Sequence, residues 1–410
     1  MNNTPELLSP AGDLDKMRFG IAYGADAVYM AGTRFGMRAA ATNFDDNALR
    51  EGIAYAHAHG VKCYITVNIM PSNRDLPALP AYLELLQDAG ADALIIADTG
   101  VLRMARRYAP KVPVHISTQT SILNHEAANY WADEGAERIV LARELSLEEI
   151  AEIRAKTPKE LEIEAFVHGA MCISYSGRCL ISQYMTGRDA NHGACAQPCR
   201  WNYSLMEEKR PGQFFPVEED GRGTYLYNSK DMCMIEHVPE LIEAGITSFK
   251  IEGRNKTAYY AACVTGAYRA AIDTYKKDPE NFVLPQFCRD EVNKVSHREY
   301  YTGFYFGNQE NGQHYGDSQY IREYEVVGMP VECDDSGKAV FALKNRFFDG
   351  EELELIQPGQ APYVFRAENV TDDEGTKREL FNVPQMRVHF AFPFKVSEWA
   401  ILRKVKERPE

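Results

Sequence analysis

The sequence predicts an α/β protein: a (β/α)8 barrel of the TIM type, with a cysteine-rich insertion after its seventh strand and a small C-terminal all-β barrel domain. Three observations predict this architecture. A helical segment that ends in glycine and leads into a short apolar run recurs along the first 255 residues. Four of the nine cysteines fall between positions 172 and 199. Beyond residue 320 the pattern changes to short alternating runs separated by turns.

The repeated glycines suit the ends of helices, where a positive φ is needed. They are Gly24, Gly60, Gly90, Gly135 and Gly245. The runs that follow are continuous rather than alternating, which is typical of parallel strands buried on both faces. Eight strands are predicted in this way: Glu6–Ser9, Ala27–Ala31, Lys62–Val67, Ala93–Ala97, Val114–Ser117, Arg138–Leu141, Glu162–Val167 and Ser248–Ile251.

Amphipathic helices between these strands favour a closed barrel, and a doubly wound open sheet is the alternative. Polar residues follow several predicted strands: Asn68, Asp98, Ser117–Gln119, Arg143–Glu144, His168, Glu252 and Arg254. In a barrel these strand ends meet at one face, where TIM-barrel active sites lie. We therefore expect a polar pocket there. Its candidate catalytic residues are Gln119, His168, Lys250, Glu252 and Arg254, with Asn68 and Ser117 as further pocket residues.

A purely structural role is the competing interpretation of this set. Lys250, Glu252 and Arg254 also suit a solvated ion pair at the end of a strand. The amides of Asn68 and Gln119 also suit hydrogen bonds inside the barrel mouth.

The insertion occupies residues 168–235, between the last two predicted strands. It contains the cysteine cluster and a predicted hairpin formed by residues 200–220 and 223–231. A connection of this length in a compact domain is usually functional or disordered, and its dense Cys, Trp and Tyr content argues against disorder. The barrel domain, with its trailing helices, is predicted to span residues 1–306.

The C-terminal β domain is predicted over residues 320–410. Its runs alternate apolar and polar residues, and turn signals such as "DDSGK" and "DDEGT" separate them, which indicates a barrel of about six strands. The boundary is predicted in 307–319, which is rich in Gly, Asn and Gln.

Composition limits the class of protein. The chain has 410 residues, 45% hydrophobic residues and a formal net charge of −14. No basic segment leads into an apolar run near the start, and no apolar run approaches the ~20 residues that span a bilayer. We expect a soluble, cytoplasmic protein with no membrane partner. The charge excludes a uniformly basic nucleic-acid-binding surface but not a local patch, and Lys and Arg gather at 250–256, 343–347 and 402–408.

The cysteine cluster indicates metal binding, because disulfides are uncommon in the cytoplasm. Cys172, Cys179, Cys195 and Cys199 lie in polar loop sequence. Six residues separate the first pair, which disfavours zinc, and no Cys-x-x-Cys pair is present for dithiol chemistry. An iron–sulfur cluster accepts such spacing. Cys233 lies on the return toward the eighth strand, so five cysteines are candidates for four ligand positions.

The stretch from Glu164 to Ser182, "EAFVHGAMCISYSGRCLIS", resembles the signature of the collagenase-like peptidase family U32. The defining positions are Glu164, Phe166, Gly169, Cys172, Gly177, Cys179 and Ser182. Other similar stretches are "ELLSPAGD" at 6–13, "HISTQTS" at 115–121, "CAQPCRWNY" at 195–203, "NSKDMC" at 228–233 and "SFKIEGRNK" at 248–256. The resemblance covers nearly the whole chain. It includes a C-terminal β domain typical of the TrhP-like branch, whose members take part in prephenate-linked tRNA uridine 5-hydroxylation.

This resemblance implies a [4Fe–4S] cluster held by Cys172, Cys179, Cys195 and a fourth thiolate. The fourth is Cys233, which we favour, or Cys199. The resemblance also implies a tRNA uridine 5-hydroxylase of the oxidoreductase type, which forms 5-hydroxyuridine at the wobble position of tRNA. It further implies a prephenate-derived ligand and a second family member as a heteromeric partner. Other branches of the family hydroxylate a ribosomal RNA cytidine or a ubiquinone precursor.

Collagenase-like peptidase activity is the alternative that the family history supplies. The sequence has no His-Glu-x-x-His and no Gly-x-Ser-x-Gly motif. A Cys–His pair of Cys172 and His168 is conceivable, but Cys172 is better used as an iron ligand. For RNA hydroxylation, the polar barrel mouth suits an unstacked base, and the β domain suits the RNA backbone. We therefore expect the basic residues to cluster on one face shared by the mouth and the β domain.

Overall fold

The first domain of the computed structural model is a closed barrel of eight parallel strands. The structure describes residues 4–37, 42–172, 175, 179–201, 205–206, 214–215, 229–307 and 320–406. The barrel strands are Glu6–Pro10 (β1), Ala27–Ala31 (β2), Lys62–Val67 (β3), Ala93–Ile96 (β4), Val114–Ile116 (β5), Arg138–Val140 (β6), Glu162–Ala170 (β7) and Ser248–Ile251 (β8). β8 pairs in parallel with both β1 and β7. This pairing closes the barrel, confirms its prediction and excludes the open sheet.

Helices connect and follow the barrel strands. They are Leu14–Ala22 (α1), Asp46–Ala58 (α2), Leu79–Asp88 (α3), Thr99–Tyr108 (α4), His125–Asp133 (α5), Leu147–Ala155 (α6), Ile181–Thr186 (α7), Val238–Glu243 (α8), Ala258–Lys277 (α9) and Gln286–Asn293 (α10). Several begin at a side chain that accepts a hydrogen bond from a first-turn backbone N–H. Asp98 caps α4 in this way, at the N–H of Val101. One of the polar residues expected at the barrel mouth therefore starts a helix.

The five glycines predicted to end helices all have positive φ, between 72° and 98°. The strand predictions are confirmed to within one residue at each end, except at the end of β7. β7 continues to Ala170, three residues further than predicted, because a short strand of the insertion, Asp231–Cys233, pairs with it in antiparallel. We call Asp231–Cys233 the lip strand. Tyr300–Tyr301 pairs with its other edge.

In the described residues, the insertion lies over the carboxyl end of the barrel. Its described parts include α7 and two short 3-10 helices, Ala190–His192 and Pro198–Arg200. Leu205–Met206 pairs with Phe214–Phe215 in antiparallel. This pairing falls inside the first segment of the predicted hairpin, and the second segment lies mostly outside the described residues.

A layer of charged residues fills the barrel interior near the amino ends of the strands. The Arg138 guanidinium, 2% exposed, lies 2.6 Å from a Glu6 oxygen and 3.1 Å from a Glu164 oxygen. The Lys250 ammonium lies 2.6 Å from the other Glu164 oxygen. Burial alone would raise the pKa of the Glu6 carboxyl, but Arg138 and hydrogen bonds hold it below its usual value. The buried charges are thus paired, as a low-dielectric interior requires.

The C-terminal domain is an antiparallel sheet of seven strands. In sheet order they are Tyr363–Arg366, Glu352–Ile356, Ile401–Val405, Tyr324–Cys333, Lys338–Leu343, Arg387–Ala391 and Thr371–Asp372. Phe347–Phe348 and Leu380–Phe381 form a separate pair. The two edge strands of the large sheet do not pair with each other in the part of the chain that the structure describes. The prediction of a small all-β barrel domain is confirmed, and in the described residues its large sheet forms a half-barrel.

A buried ionic cluster joins the two domains. Arg403, from the C-terminal sheet, is fully buried, and its guanidinium lies 2.5 Å from Glu291 of α10 and 2.6 Å from Glu354. Lys294 lies 2.9 Å from Glu354. The Tyr23 hydroxyl donates to the Trp399 carbonyl at 3.0 Å. These contacts fix the β domain against the barrel.

None of the described helices has the length and apolar composition that crossing a bilayer requires.

Candidate functional site

A cavity of about 140 Å³ lies at the carboxyl ends of the barrel strands, beneath the insertion. It brings together residues that are far apart in the sequence. From the predicted pocket set, its lining includes Asn68, Ser117, Gln119, Lys250, Glu252 and Arg254. From the predicted ligand set, it includes Cys172, Cys179, Cys195 and Cys199. Thiols and polar strand-end groups therefore face the same small space.

A chain of hydrogen bonds orients the amide of Gln119. The Met37 backbone N–H donates to Asn68 Oδ1 at 3.1 Å, so the Asn68 amide nitrogen faces Ser117, 3.4 Å away. The Ser117 hydroxyl then donates to Gln119 Oε1 at 3.1 Å. Gln119 Nε2 remains, buried and without a hydrogen-bond partner among the described residues. A buried donor without a partner costs free energy, so this amide suits a hydrogen bond to a ligand oxygen.

Among the described residues, the three charged residues at the end of β8 contact different groups. Lys250 pairs with Glu164 inside the barrel and lies 4.4 Å from the centre of the Tyr29 ring. A Glu252 oxygen lies 3.6 Å from the Arg143 guanidinium. Arg254 is buried and donates to the Met37 carbonyl. Each cation is thereby held in place beside the cavity.

Arg143 and Thr66 line the cavity, although neither was selected as a catalytic candidate from the sequence. The Arg143 guanidinium lies over the Phe166 ring, 3.7 Å from its centre, and donates to the Ala170 carbonyl at 2.7 Å. Arg143 Nε and Thr66 Oγ1 are buried without hydrogen-bond partners among the described residues. The signal for Arg143 was present, because it lies three residues after the end of β6. Thr66 gave no signal, because it lies within a buried strand.

The insertion carries the four thiols around the cavity. Cys172 is exposed, and Cys179, Cys195 and Cys199 are half-buried. The Ser182 hydroxyl accepts a hydrogen bond from the Ala196 N–H at 3.0 Å, which ties α7 to the loop carrying Cys195. No three Cys, His, Asp or Glu side chains of the described residues converge closely enough to hold one metal ion. Cysteine thiolates are the ligands that an iron–sulfur cluster takes.

His168 and Cys233 lie elsewhere. They are opposite each other in the pairing of β7 with the lip strand, and neither lines the cavity. His168 is 1% exposed, with its ring nitrogens 3.5 Å from the Tyr268 hydroxyl and 3.3 Å from the Tyr300 hydroxyl. Burial, helped by nearby positive charge, lowers the pKa of His168 to about 3. Burial also raises the pKa of the Cys233 thiol to about 12. The predicted roles of both residues stay predictions.

A second, larger cavity of about 810 Å³ opens from the mouth toward the C-terminal domain. We call it the interdomain groove. It shares Cys172, Cys195 and Cys199 with the first cavity. Its basic lining residues are Lys256, Arg322, Lys344 and Lys406. The expectation that basic residues gather on a face shared by the mouth and the β domain agrees with this lining.

These features define a class: a (β/α)8-barrel protein with a thiol-lined mouth and an appended β half-barrel. Residues 12–315 match the model of Peptidase family U32, and residues 322–403 match that of the Peptidase family U32 C-terminal domain. The chain therefore belongs to peptidase family U32.

Named relatives extend over most of the chain. The chain is 39% identical over 404 residues to tRNA hydroxylation protein P1 of Bacillus subtilis (strain 168). This alignment covers 98% of this chain and 95% of that protein. Protein P2 of the same organism is 35% identical over 308 residues, covering 74% of this chain and 97% of its own. A 23S rRNA 5-hydroxycytidine synthase of Escherichia coli (strain K12) is 40% identical over 332 residues, covering 80% of this chain and 48% of that protein.

Proposed function

We propose that this protein is a tRNA uridine 5-hydroxylase that forms 5-hydroxyuridine at the wobble position of tRNA. The reaction replaces the C5–H bond of the base with a C5–OH bond, so an oxygen-carrying co-reactant must supply the oxygen atom and accept the two electrons that the ring loses. The names of the relatives that match most of the chain support a role in tRNA hydroxylation.

The size and lining of the mouth cavity carry this proposal. At about 140 Å³, the cavity is close to the ~150 Å³ engineered cavity that accepts benzene. One pyrimidine ring fits such a space. Enzymes that act on a nucleobase take it out of the stack and into a pocket of this kind. The thiol groups border the same space, so a base inside it lies beside the thiol-bearing loops.

The amide of Gln119 suits recognition of the ring. Gln119 lines the cavity, and its buried amide nitrogen has no hydrogen-bond partner among the described residues. A uracil carbonyl oxygen is an acceptor that suits its N–H donors. Arg143 stacks on Phe166 nearby, and its buried Nε has no hydrogen-bond partner among the described residues. The cationic part of the wall, Arg143, Lys250 and Arg254, also suits a carboxylate of a prephenate-derived ligand, which we include in the proposal.

We propose that the cysteines hold a [4Fe–4S] cluster through Cys172, Cys179, Cys195 and one further thiolate. When bound, the cluster supplies electrons or a binding site for an oxygen-carrying ligand. Cys199 is supported as the fourth ligand by its place in the lining with the other three. Cys233 is supported by the resemblance, and a cluster beside the lip strand would bring its thiol into use. The two assignments make opposite predictions for single variants.

The peptidase alternative gains no support from the site. Nucleophilic cysteine catalysis needs a base within hydrogen-bond reach of the thiol. Among the described residues that line the cavity there is no histidine. His168, the base considered from the sequence, is buried among Tyr260, Tyr268 and Tyr300.

Two measurements test the proposal. The first is the hydroxyuridine content of tRNA, by mass spectrometry, in a strain that lacks the gene and any redundant pathway. Wild type restores the nucleoside and Cys172→Ala does not. The second is the iron content and visible absorption of anaerobically purified protein. An unchanged nucleoside content in the deletion strain would reject the tRNA assignment, and iron-free wild-type protein would reject the cluster. Co-purification with a second family member tests the heteromeric partner, which we propose because P1 and P2 occur in one organism.

A further inference from the structure

The interdomain groove contains basic side chains that lack acidic partners. Arg322, Lys344 and Lys406 are exposed and line the groove. None of the three has a carboxylate within ion-pair distance in the described part of the chain. Elsewhere on the surface, arginines lie against carboxylates, as Arg18 does at Glu51 and Arg106 does at Glu134. In a protein of net charge −14, an uncompensated group of cations indicates an anionic partner.

Tyr320 holds further cations at the same wall. Its ring centre lies 4.3 Å from the Lys256 ammonium, 4.4 Å from the Arg298 guanidinium and 5.7 Å from that of Arg322. The negative face of an aromatic ring attracts cations and so offsets part of their mutual repulsion. The Arg322 guanidinium is also held by the Ser296 hydroxyl at 3.2 Å. Positive charge is therefore concentrated at a fixed place between the two domains.

The groove continues in both directions. Toward the barrel it shares Cys172, Cys195 and Cys199 with the mouth cavity. Toward the β domain it shares Lys344 and Lys406 with a further pocket of about 490 Å³. Two carboxylates, Glu252 and Glu325, also line the groove. Each already lies near a cation, Glu252 at 3.6 Å from Arg143 and Glu325 at 3.8 Å from Lys404.

We propose that the interdomain groove is the path of a single-stranded RNA backbone, with phosphates contacted by Arg322, Lys344 and Lys406 and one nucleotide turned into the mouth cavity. The inference rests on the proposed function in taking RNA as the substrate. A groove that leads to a one-ring cavity fits a strand that delivers a base, because phosphate contacts position the strand while the pocket selects the base. The β half-barrel thereby supplies part of the substrate site.

The test measures RNA binding and its salt dependence on the full chain, purified anaerobically. The probe is a fluorescein-labelled anticodon stem–loop RNA, followed by anisotropy at several KCl concentrations. The variant combines Arg322→Gln, Lys344→Gln and Lys406→Gln. The matched control is Lys338→Gln, an exposed lysine of the same domain outside the groove lining. Thermal melting and visible absorption show whether each protein is intact.

Each contact to a single-stranded phosphate contributes a slope of about −0.7 to log Kobs against log[salt]. The triple variant is therefore expected to have a slope less negative by about 2, and binding weaker on the order of 50-fold at 0.15 M salt. Lys344→Gln alone should change the slope by about 0.7, which keeps the test valid should the triple variant not fold. The control should match wild type.

A triple variant that binds the stem–loop with the wild-type slope overturns the groove assignment. So does a polyglutamate that binds wild type but not the triple variant and leaves the RNA bound to wild type, because the cations would then serve an acidic polypeptide and not the RNA. These results are independent of hydroxylation. A deletion strain with unchanged hydroxyuridine rejects the proposed function even where the salt slopes behave as expected.

Discussion

The amide of Gln119 gives the sharpest test of base recognition at the mouth. Gln119→Leu keeps the size of the side chain and removes both N–H donors. In the present structure Nε2 is buried without a partner, and the amide is fixed through Ser117 and Asn68. The variant should therefore lose a hydrogen bond to the substrate and little else at the cavity wall.

The size of the effect follows from the burial of this donor. A hydrogen bond between buried neutral groups, counted with the cost of leaving one partner unmet, contributes about 1–3 kcal/mol. Lost from the transition state, this energy lowers the rate by about 5- to 150-fold. The Ser117 hydroxyl also loses its acceptor, so the free energy of unfolding should fall by about 1 kcal/mol. The protein should remain folded.

The assay is the initial rate of hydroxyuridine formation in a deletion strain after induction of each variant at matched protein level. Gln87→Leu is the control, because the Gln87 side chain accepts from the Lys111 N–H and does not line the mouth cavity. A Gln119→Leu rate equal to that of the control, with iron content intact, would show that the amide does not contact the substrate. The oriented-donor reasoning would then be wrong.

Three further outcomes are expected. Only one of Cys199→Ala and Cys233→Ala should lose the visible absorption and iron of wild type; if both or neither do, the four-thiolate scheme is wrong. Arg403→Met removes the cation that pairs with the buried Glu291 carboxylate and should lower the free energy of unfolding by about 3–5 kcal/mol. Adding Glu291→Gln to the same chain should recover part of that loss, as measured by thermal melting. The pKa of His168 is about 3 in the folded protein against an ordinary 6.5, so the unfolded state takes up the proton and stability falls as pH drops below 6.5. Between pH 7 and pH 5 the free energy of unfolding of wild type, measured by urea titration, should therefore fall by about 2 kcal/mol more than that of His168→Gln. Equal decreases would show that the His168 ring is not buried in its neutral form.

The order of elements could be predicted because it rests on local signals. A glycine that ends a helix and an apolar run that follows it are decided by backbone conformation and burial, which neighbouring residues report. Gly60 and Gly245, for example, have the positive φ that their place in the sequence predicted. The end of β7 was missed because its last residues are held by the lip strand, which pairs Ala170 with Asp231, 61 residues further along the chain.

The members of the mouth could also be predicted in large part. Parallel strands bring their carboxyl ends to one face, so Asn68, Gln119 and Glu252 were expected together and line one cavity. Their partners could not be predicted. Whether Lys250 pairs with Glu252 or with Glu164 depends on which side chains point into the barrel, and this is set by register around the closed sheet.

The sequence by itself determined the barrel, the insertion with its cysteines and the β domain, because hydrophobic pattern and turn residues act over short distances. The tertiary structure decided the direction of the Gln119 amide, the burial of His168 and the meeting of Lys256 with Arg322 at Tyr320. It also left the β sheet open, since closure depends on whether two distant edge strands meet. Such outcomes depend on the packing of segments far apart in the chain, and no local pattern records that packing.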